Sequence, residues 1–384
     1  MAVRSIVPKG CLRRAPFRAA EAQPASVSTV AEGASVSSPP APVRNVNPLD
    51  DPRWDADLAA CPGATFFHSS AWARVLHSAY GYRPVYFVGS DESGARTLLP
   101  MMEVDSWLTG RRGIGLPFTD ASAPLAPDSQ AFRGLHEAAL AHGKQRGWKY
   151  LECRGGRSLF GDVPASERFL GHRLDLTKGE AVLFSHFEKS TRGAIRKGEQ
   201  SNLKIEFSRD LESVRAFHHL MCITRRRHGV PPQPFAFFAS IQRHVLAQDQ
   251  GWVVLARHNG IPIAGAVYVH FGKTAIYKYG ASDSEFQHLR ANNCVMWAVI
   301  KRFAADGLAT LDFGRTAPDN EGLRKFKLGW GTTENPIEYV RQDLRTGQYA
   351  AAKPPSSGRL ARVFQFLPDP IFRLIGAILY KHVA

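Results

Sequence analysis

Two stretches of this chain, PVYFVGSDESGARTLLPMMEV and WVVLARHNGIPIAGAVYVHF, share a plan: two strand-like apolar runs around a short polar turn. The turn is acidic and Gly-containing in the first and Asn259-Gly260 in the second. Asn-Gly is a strong hairpin signal, because the tight turn needs positive φ at both central residues. After a further strand, each hairpin leads to an amphipathic helix that ends at a Gly, and then to another strand. These segments are FRGLHEAALAHGKQRGWKYLECRGG in the first half and CVMWAVIKRFAADGLATLDFGRT in the second. Superimposing them sets Glu152 opposite Asp312, 160 residues apart, a domain-sized repeat. The pattern predicts a mixed α/β (α+β) chain with two tandem domains, residues 47–175 and 176–345. Residues 1–46 and 346–384 flank them as tails.

At 384 residues with 44% hydrophobic and 10% aromatic side chains, there is enough apolar matter for real cores, which excludes a wholly disordered or fibrous protein. Cys11, Cys61, Cys153, Cys222 and Cys294 stand singly, with no CxxC and no His at metal spacing. A disulfide framework and a zinc site are therefore not expected, and the folded part reads as metal-free and cytoplasmic. A formal charge of +15 asks for an anionic partner: nucleic acid, a phosphate-bearing substrate or a membrane surface. No zinc finger, RNP-type strand or basic zipper accompanies it, so DNA is not expected as a partner.

The N-terminal tail is rich in Ala, Ser, Pro and Val, with Arg4, Lys9, Arg13, Arg14 and Arg18 near its start, and is expected to be disordered. Its composition also looks like a transit peptide, whereas SIVPKGCL lacks the apolar core of a secretory signal. No run of eighteen apolar residues occurs. The final segment, RLARVFQFLPDPIFRLIGAILYKHVA, is predicted to be an amphipathic C-terminal helix broken from its basic flank by Pro368 and Pro370. Two readings stand for residues 358–384: peripheral contact with an anionic membrane, or docking on the protein's own core.

The second half holds the more unusual chemistry. LFSHFEKSTRGAIRKGEQSNLKIEF predicts one or two helices and then a strand from Leu203. LESVRAFHHLMCITRRRHGVPPQPFAFFASIQRHVLA predicts two helices parted by Gly229 and a proline-rich turn. In LDFGRTAPDNEGLRKFKLGWG an apolar strand runs into Asp312, Gly314 and Arg315, and Lys325, Lys327 and paired glycines follow in what reads as one loop.

The ordered series STRGAIRKGEQ, RRRHGVPPQPFAFF, the hairpin, IYKYGAS, LRANNCVMW, LDFGRT and FKLGWG resembles the FemABX-like branch of the GNAT acyltransferase superfamily, also described as BioF2-like or CelD-like domains. The likeness covers roughly residues 50–345. It implies two tandem GNAT-like domains, each a mixed sheet flanked by helices, with substrate in a groove along or between them. Family members of known role add amino acids from aminoacyl-tRNA to the stem peptide of a peptidoglycan precursor, and relatives sit among exopolysaccharide genes. The resemblance thus implies an acyl or aminoacyl transferase acting on an amine or hydroxyl of an envelope or exopolysaccharide precursor. Its partners would be an anionic or lipid-linked sugar acceptor and tRNA as donor, with the enzyme on the inner face of the cytoplasmic membrane. Two alternatives are an acetyl-CoA-dependent N-acetyltransferase of amino sugars and a non-catalytic module that binds an anionic polymer.

No tightly bound cofactor is implied; the acyl donor is either aminoacyl-tRNA or acetyl-CoA. Acetyl-CoA enzymes of the superfamily place a Gly-rich loop at a helix start so that bare N–H groups cradle the pyrophosphate. Here no glycine occurs between Gly280 and Gly307, and Arg290, Asn292 and Asn293 stand in that place. This weakens acetyl-CoA as donor, although Arg290 and Asn292 can still contact an anion at the helix start.

The family's FK…G motif maps onto Phe326, Lys327 and Gly329, which makes Lys327 the candidate cation beside the reacting carbonyl or a substrate phosphate; otherwise it is a solvated lysine. Asp312, at the end of a buried-looking strand, either takes a proton from the incoming amine or pairs with Arg315 or Lys278. Arg315, beside Gly314, suits bidentate binding of phosphate or carboxylate, and Lys325 lies in the same basic stretch. Alternation sends Tyr277 and Tyr279 to one face of their strand and Lys278 to the other, as a groove-facing cation or an edge-strand lysine. Arg192 and Arg196 share one helix face, suited to a diphosphate-bearing acceptor or a tRNA backbone, or simply solvated. Arg225 to Arg227 with His228 suit the same anion, or only favour the C-terminal end of their helix. Trp72 and Tyr82 are expected in the core, and RRGIGLPFTDASAPL offers Gly113, Gly115 and a polar turn.

Overall fold

The computed structural model describes residues 42–352 and 364–382. The expected disordered tail therefore lies outside the described residues up to position 41, as does the 358–363 part of the C-terminal segment. Residues 42–46 are described, and here the tail boundary is corrected: Arg44–Val46 form a strand, β1.

The first half continues with α1 (Trp54–Ala59), α2 (Ser70–Tyr80), β2 (Arg83–Pro84), β3 (Tyr86–Ser90), β4 (Arg96–Leu99), β5 (Met102–Val104), β6 (Arg112–Ile114), α3 (Ser129–Arg146), β7 (Tyr150–Arg154) and β8 (Glu167–Asp175). The second half has α4 (Glu180–His186), α5 (Lys189–Glu199), β9 (Lys204–Ser208), α6 (Leu211–Arg227), α7 (Phe235–His244), β10 (Gly251–His258), β11 (Ile261–Phe271), β12 (Thr274–Ser282) and α8 (Ala291–Ala305). It ends with β13 (Thr310–Thr316), α9 (Glu321–Leu328), β14 (Thr333–Asp343) and a terminal helix, α10 (Asp369–Tyr380). Helix limits follow local chemistry: the Asp128 carboxylate accepts the Ala131 N–H at 2.8 Å to cap α3, and Gly147 closes that helix at φ +69°. Asp210 caps α6 in the same way through Ser213 N–H at 2.7 Å.

The duplication is legible in strand order. β6 pairs in parallel with β7 across α3, and β12 pairs in parallel with β13 across α8. Each copy is then completed by a strand from the other half: β14 lies antiparallel on β7, and β8 lies antiparallel on β13. β8 and β14 also pair with each other, so the two copies merge into one eleven-stranded sheet, order β2-β5-β6-β7-β14-β8-β13-β12-β11-β10-β9. Separate sheets for the two domains give way to this continuous one because the closing strands are exchanged. Glu152 and Asp312, matched from sequence, hold equivalent places: each faces an arginine on the exchanged strand, Arg341 and Arg173 respectively.

The two hairpins diverge. β10 and β11 turn at Asn259 (φ +52°) and Gly260 (φ +83°) and remain in the large sheet. β3 and β4 pair with each other, and β3 with β1, in a separate three-stranded sheet, after which Pro100, unable to donate a ladder hydrogen bond, parts β4 from β5. One core serves both halves: Trp72, Tyr80 and Leu116 from the first pack with Phe217, Phe237, Val267 and Tyr279 from the second. Trp72 and Phe237 meet edge to face at 6.0 Å. Trp72 and Tyr82 are buried, as expected, and each such ring contributes about 1.5–3 kcal/mol on burial. A second core lies under α8 and includes Trp297 and Trp330.

Candidate active site

The site forms where neighbouring strands come apart. β12 and β13 pair only from Thr274–Ile276 against Thr310–Asp312, and beyond this they part. Two irregularities shape the parting. On β12, Tyr277 faces Tyr268 of β11 and Tyr279 faces the adjacent Val267, so Lys278 is the extra residue of a β-bulge. On β13 the register against β8 shifts between Asp312 and Arg315, around Gly314 at φ +70°.

The bulge corrects one expectation. Tyr277 and Tyr279 do not share a face: Tyr277 packs on the α8 core and Tyr279 enters the core shared by the two halves. Strict alternation fails because one extra residue reverses every side chain beyond it.

A cavity of about 630 Å³ opens at this parting. Its β12 wall is Tyr277 to Gly280, its β13 wall is Phe313 to Arg315, and Lys327 comes from α9. The end of α6 supplies Thr224, Arg225 and His228, and the loop after β6 supplies Phe118 to Asp120, so both halves build the site. That loop is held in conformations rare for L-residues, Leu116 at φ +49° and Phe118 at φ +61°.

Asp120 is the carboxylate among these cations. Lys278 Nζ donates to it at 3.0 Å, and the Arg315 backbone N–H lies 3.4 Å from its other oxygen. Burial pushes the Asp120 carboxyl up, but the Lys278 and Arg315 charges outweigh it and hold the group below the ordinary carboxylate value. Burial pulls Lys278 down, with Asp120 opposing. Gly314 is required here twice over, by its positive φ and because a Cβ would sit 3.3 Å from the Asp120 carboxyl atoms.

Lys327 is only 2% exposed. Its Nζ donates to the backbone carbonyls of Gly314 at 2.8 Å and Arg315 at 3.0 Å. Burial pulls its ammonium down to about 8, while Asp120 and Asp312 act in the opposite sense. The solvated-loop alternative is thereby corrected. FKLG belongs to α9, a two-turn helix whose start is capped by the Asn320 side chain accepting from Leu323 N–H at 3.1 Å. Helical geometry turns Lys327 inward and leaves Lys325 exposed outside the cavity.

The Arg315 side chain donates to Tyr339 Oη at 2.6 Å and lies 4.1 Å from the Phe169 ring; Tyr339 Oη in turn donates to the Asp120 backbone carbonyl at 2.8 Å. Asp312 pairs with neither Arg315 nor Lys278 but with Arg173 of β8 at 3.3 Å. The two expected partners are engaged elsewhere, by Tyr339 and Asp120. Burial raises the Asp312 carboxyl above its ordinary value, more than the Gly314 N–H at 2.7 Å and Arg173 lower it. It lines a second cavity of about 350 Å³ together with Arg173 and Asp120.

The remaining candidates are not brought to the cavity. Arg192 on α5 donates to the Ser185 carbonyl at 2.6 Å, and Arg196 lies over the Phe184 ring. Asn292 donates to Ser282 Oγ at 3.1 Å, and Arg290 is an exposed residue at φ +58° before α8. α5 packs against one side of the start of α8: a Cβ on Gly198 would fall 2.2 Å from Cys294 Sγ and 3.3 Å from the Arg290 carbonyl. Among the RRRH residues, Arg225 and His228 reach the cavity, whereas Arg226 binds the Leu367 carbonyl at 2.7 Å and Asp369. Sequence reasoning missed Asp120 and Tyr339; the Gly-spaced loop RRGIGLPFTDASAPL was the available signal for the first.

Residues 185–333 match the family model described as Acetyltransferase (GNAT) domain, a span that holds the bulged β12, the parted β13 and Lys327. The match lies within the second half of the chain. A lipid II:glycine glycyltransferase of Staphylococcus saprophyticus is 35% identical over 79 residues, covering 19% of this chain and 19% of that protein. The match spans about a fifth of that relative's length. The crystal structure of FemX superposes with a TM-score of 0.61 at 15% identity, over 77% of this chain and 96% of that one. A conserved protein of unknown function from Bacteroides thetaiotaomicron superposes with a TM-score of 0.53 at 9% identity, over 78% and 98%. Both superpositions, at under 25% identity, show a shared fold.

Proposed function

We propose that this protein transfers an acyl or aminoacyl group to an amine or hydroxyl of a cell-envelope or exopolysaccharide precursor. The observation that carries the reading is the convergence of Lys278, Lys327, Arg225, Arg315 and the Asp120 carboxylate, paired with Lys278, in one cavity built by both halves. Such a cavity suits an anionic, phosphate-bearing acceptor. The 79-residue likeness to a glycyltransferase named for lipid II supports an aminoacyl donor and an envelope acceptor.

In this reading the acceptor nitrogen or oxygen attacks the acyl carbonyl, and the tetrahedral oxyanion collapses with loss of the donor's leaving group. An ammonium has three donors and Lys327 spends two on the β13 carbonyls, which leaves one for the oxyanion or a substrate phosphate. The carbonyl contacts also fix its position before substrate arrives. Asp120 holds Lys278 and the Arg315 backbone in place, and Asp312, tied to Arg173, shapes the sheet beside them. Arg192, Arg196, Arg290, Asn292 and Lys325 stand outside the cavity, where they would meet only the outlying parts of a large donor or acceptor.

The donor is read by thermal shift with charged tRNA and with acetyl-CoA, each alone. Stabilisation by charged tRNA is expected, since α5 packs on the helix start and no glycine there offers coenzyme pyrophosphate bare amides. Stabilisation by acetyl-CoA alone would replace this reading with an amino-sugar N-acetyltransferase. Full function in cells with Lys327→Ala would replace it with a non-catalytic binding module.

A further inference from the structure

α10 is amphipathic in an unusual sense, because it has two committed faces. Its inner face docks: Phe372 is 1% exposed, Tyr380 lines the active cavity, and Tyr82 Oη donates to the carbonyls of Tyr380 at 3.0 Å and Lys381 at 3.1 Å. Beyond it, His382 is anchored by Ser106 Oγ at 2.9 Å and by Arg112 donating to its carbonyl at 2.6 Å. The docking reading of this segment therefore holds for its inner face.

The outer face is left apolar. Ile371, Leu374 and Ile378, at helical spacing, are 47%, 59% and 51% exposed. Trp107 at 82% and Leu108 at 51% are also exposed, and the Trp107 ring centroid lies 5.4 Å from that of His382, just past the helix. Soluble monomers rarely expose large apolar patches, and those that do use them for interaction. Cations border it. Arg373 and Lys381 are exposed on and just after α10. A groove of about 640 Å³ along one side of the helix is lined by Arg215, His218, His219 and Arg373 with Leu374. Two nearby acids are already paired, Asp369 with Arg226 and Asp105 with Arg111.

We propose that this face of α10, with Trp107 and Leu108, lies on an anionic phospholipid bilayer, and that the Arg215–Arg373 groove receives a lipid phosphate. An apolar ridge rimmed by cations is the chemistry of an interfacial helix, and the clamped inner face presets its orientation. The surface is argued independently of the transfer reaction. It deepens that reading in one respect: with Tyr380 in the active cavity, a helix about 10 Å across separates the cavity from the headgroups, within reach of a lipid-linked acceptor.

The test is co-sedimentation of the full chain with vesicles of phosphatidylcholine alone or with added phosphatidylglycerol. Binding is expected to the anionic vesicles only, and to weaken by roughly tenfold or more in the Ile371→Ser, Leu374→Ser, Ile378→Ser triple variant. Arg215→Ala with Arg373→Ala should weaken it with a reduced salt dependence. Unchanged circular dichroism and thermal midpoint confirm that these surface variants fold. Absence of wild-type binding, equal binding to neutral vesicles, or a triple variant that binds as wild type overturns the proposal. So does a wild-type dimer in light scattering that the triple variant abolishes, which would make the face an interface between two copies. None of these readouts involves donor or acceptor, so they stand apart from failure of the transferase reading.

Discussion

Replacing Asp120 with Asn tests the electrostatic centre of the site directly. In the folded protein Lys278 is 5% and Asp120 19% exposed, and their charges meet at 3.0 Å. Asp120→Asn keeps the shape but leaves a buried ammonium with no counter-charge. Breaking a buried pair from one side costs about 3–5 kcal/mol, and the partial exposure of Asp120 places the expected loss near the lower end, about 3 kcal/mol. Removing both charges in Asp120→Asn, Lys278→Met should recover most of it, to within about 1 kcal/mol of wild type, because the desolvation cost of the lysine vanishes with its charge. The loss has a pH signature. Without Asp120 the folded Lys278 falls further below its unfolded value, so the unfolded chain binds more protons, and the deficit should shrink as pH rises toward the ordinary lysine range. Urea unfolding followed by tryptophan fluorescence for wild type, both singles and the double gives the full cycle. An Asp120→Asn loss below about 1 kcal/mol, or a double variant no more stable than that single, would refute the buried-pair account.

Lys327→Met should lower kcat/KM by roughly 10²–10³ at unchanged protein level, the usual cost of one lost oxyanion donor. Wild-type activity should fall as pH rises through about 8, where the Lys327 ammonium loses its proton, and the residual activity of Lys327→Met should lack that limb. Gly314→Ala should destabilise by about 1–2 kcal/mol in thermal or urea unfolding, because alanine resists φ +70° and its methyl presses on the Asp120 carboxyl. The folded carboxyl of Asp312 is raised, so its charged form weakens stability as pH rises above the unfolded carboxylate value. Asp312→Asn should therefore unfold within about 0.5 kcal/mol of wild type at neutral pH, as measured in urea.

The repeat and its helices were legible because hydrophobic period, the Asn259-Gly260 turn and the proline-rich break are local signals. Lys327 and Arg315 were found through the ordered motifs around them, and both line the cavity. What sequence could not supply was registration between distant segments. The bulge at Lys278 exists only relative to β11, so alternation along β12 misassigned its two tyrosines. Asp120 meets Lys278 across 158 residues, and nothing near it marks it as a partner. The same holds for Asp312, whose arginine arrives on β8 from the other half. α9 was read as a loop because its glycines outweighed the Asn320 cap and the inward spacing that buries Lys327.

The exchange of β8 and β14 also sets an order of events during synthesis. β7 and β8 leave the ribosome long before residues 333–343, the strand that must pair with both. Until then each presents an open edge, a template for pairing with the wrong chain. The nascent first half cannot finish its own sheet, and cutting the gene near residue 175 would strand each product without its closing strand. A pair of fragments should therefore regain the fold only when mixed, each completing the other.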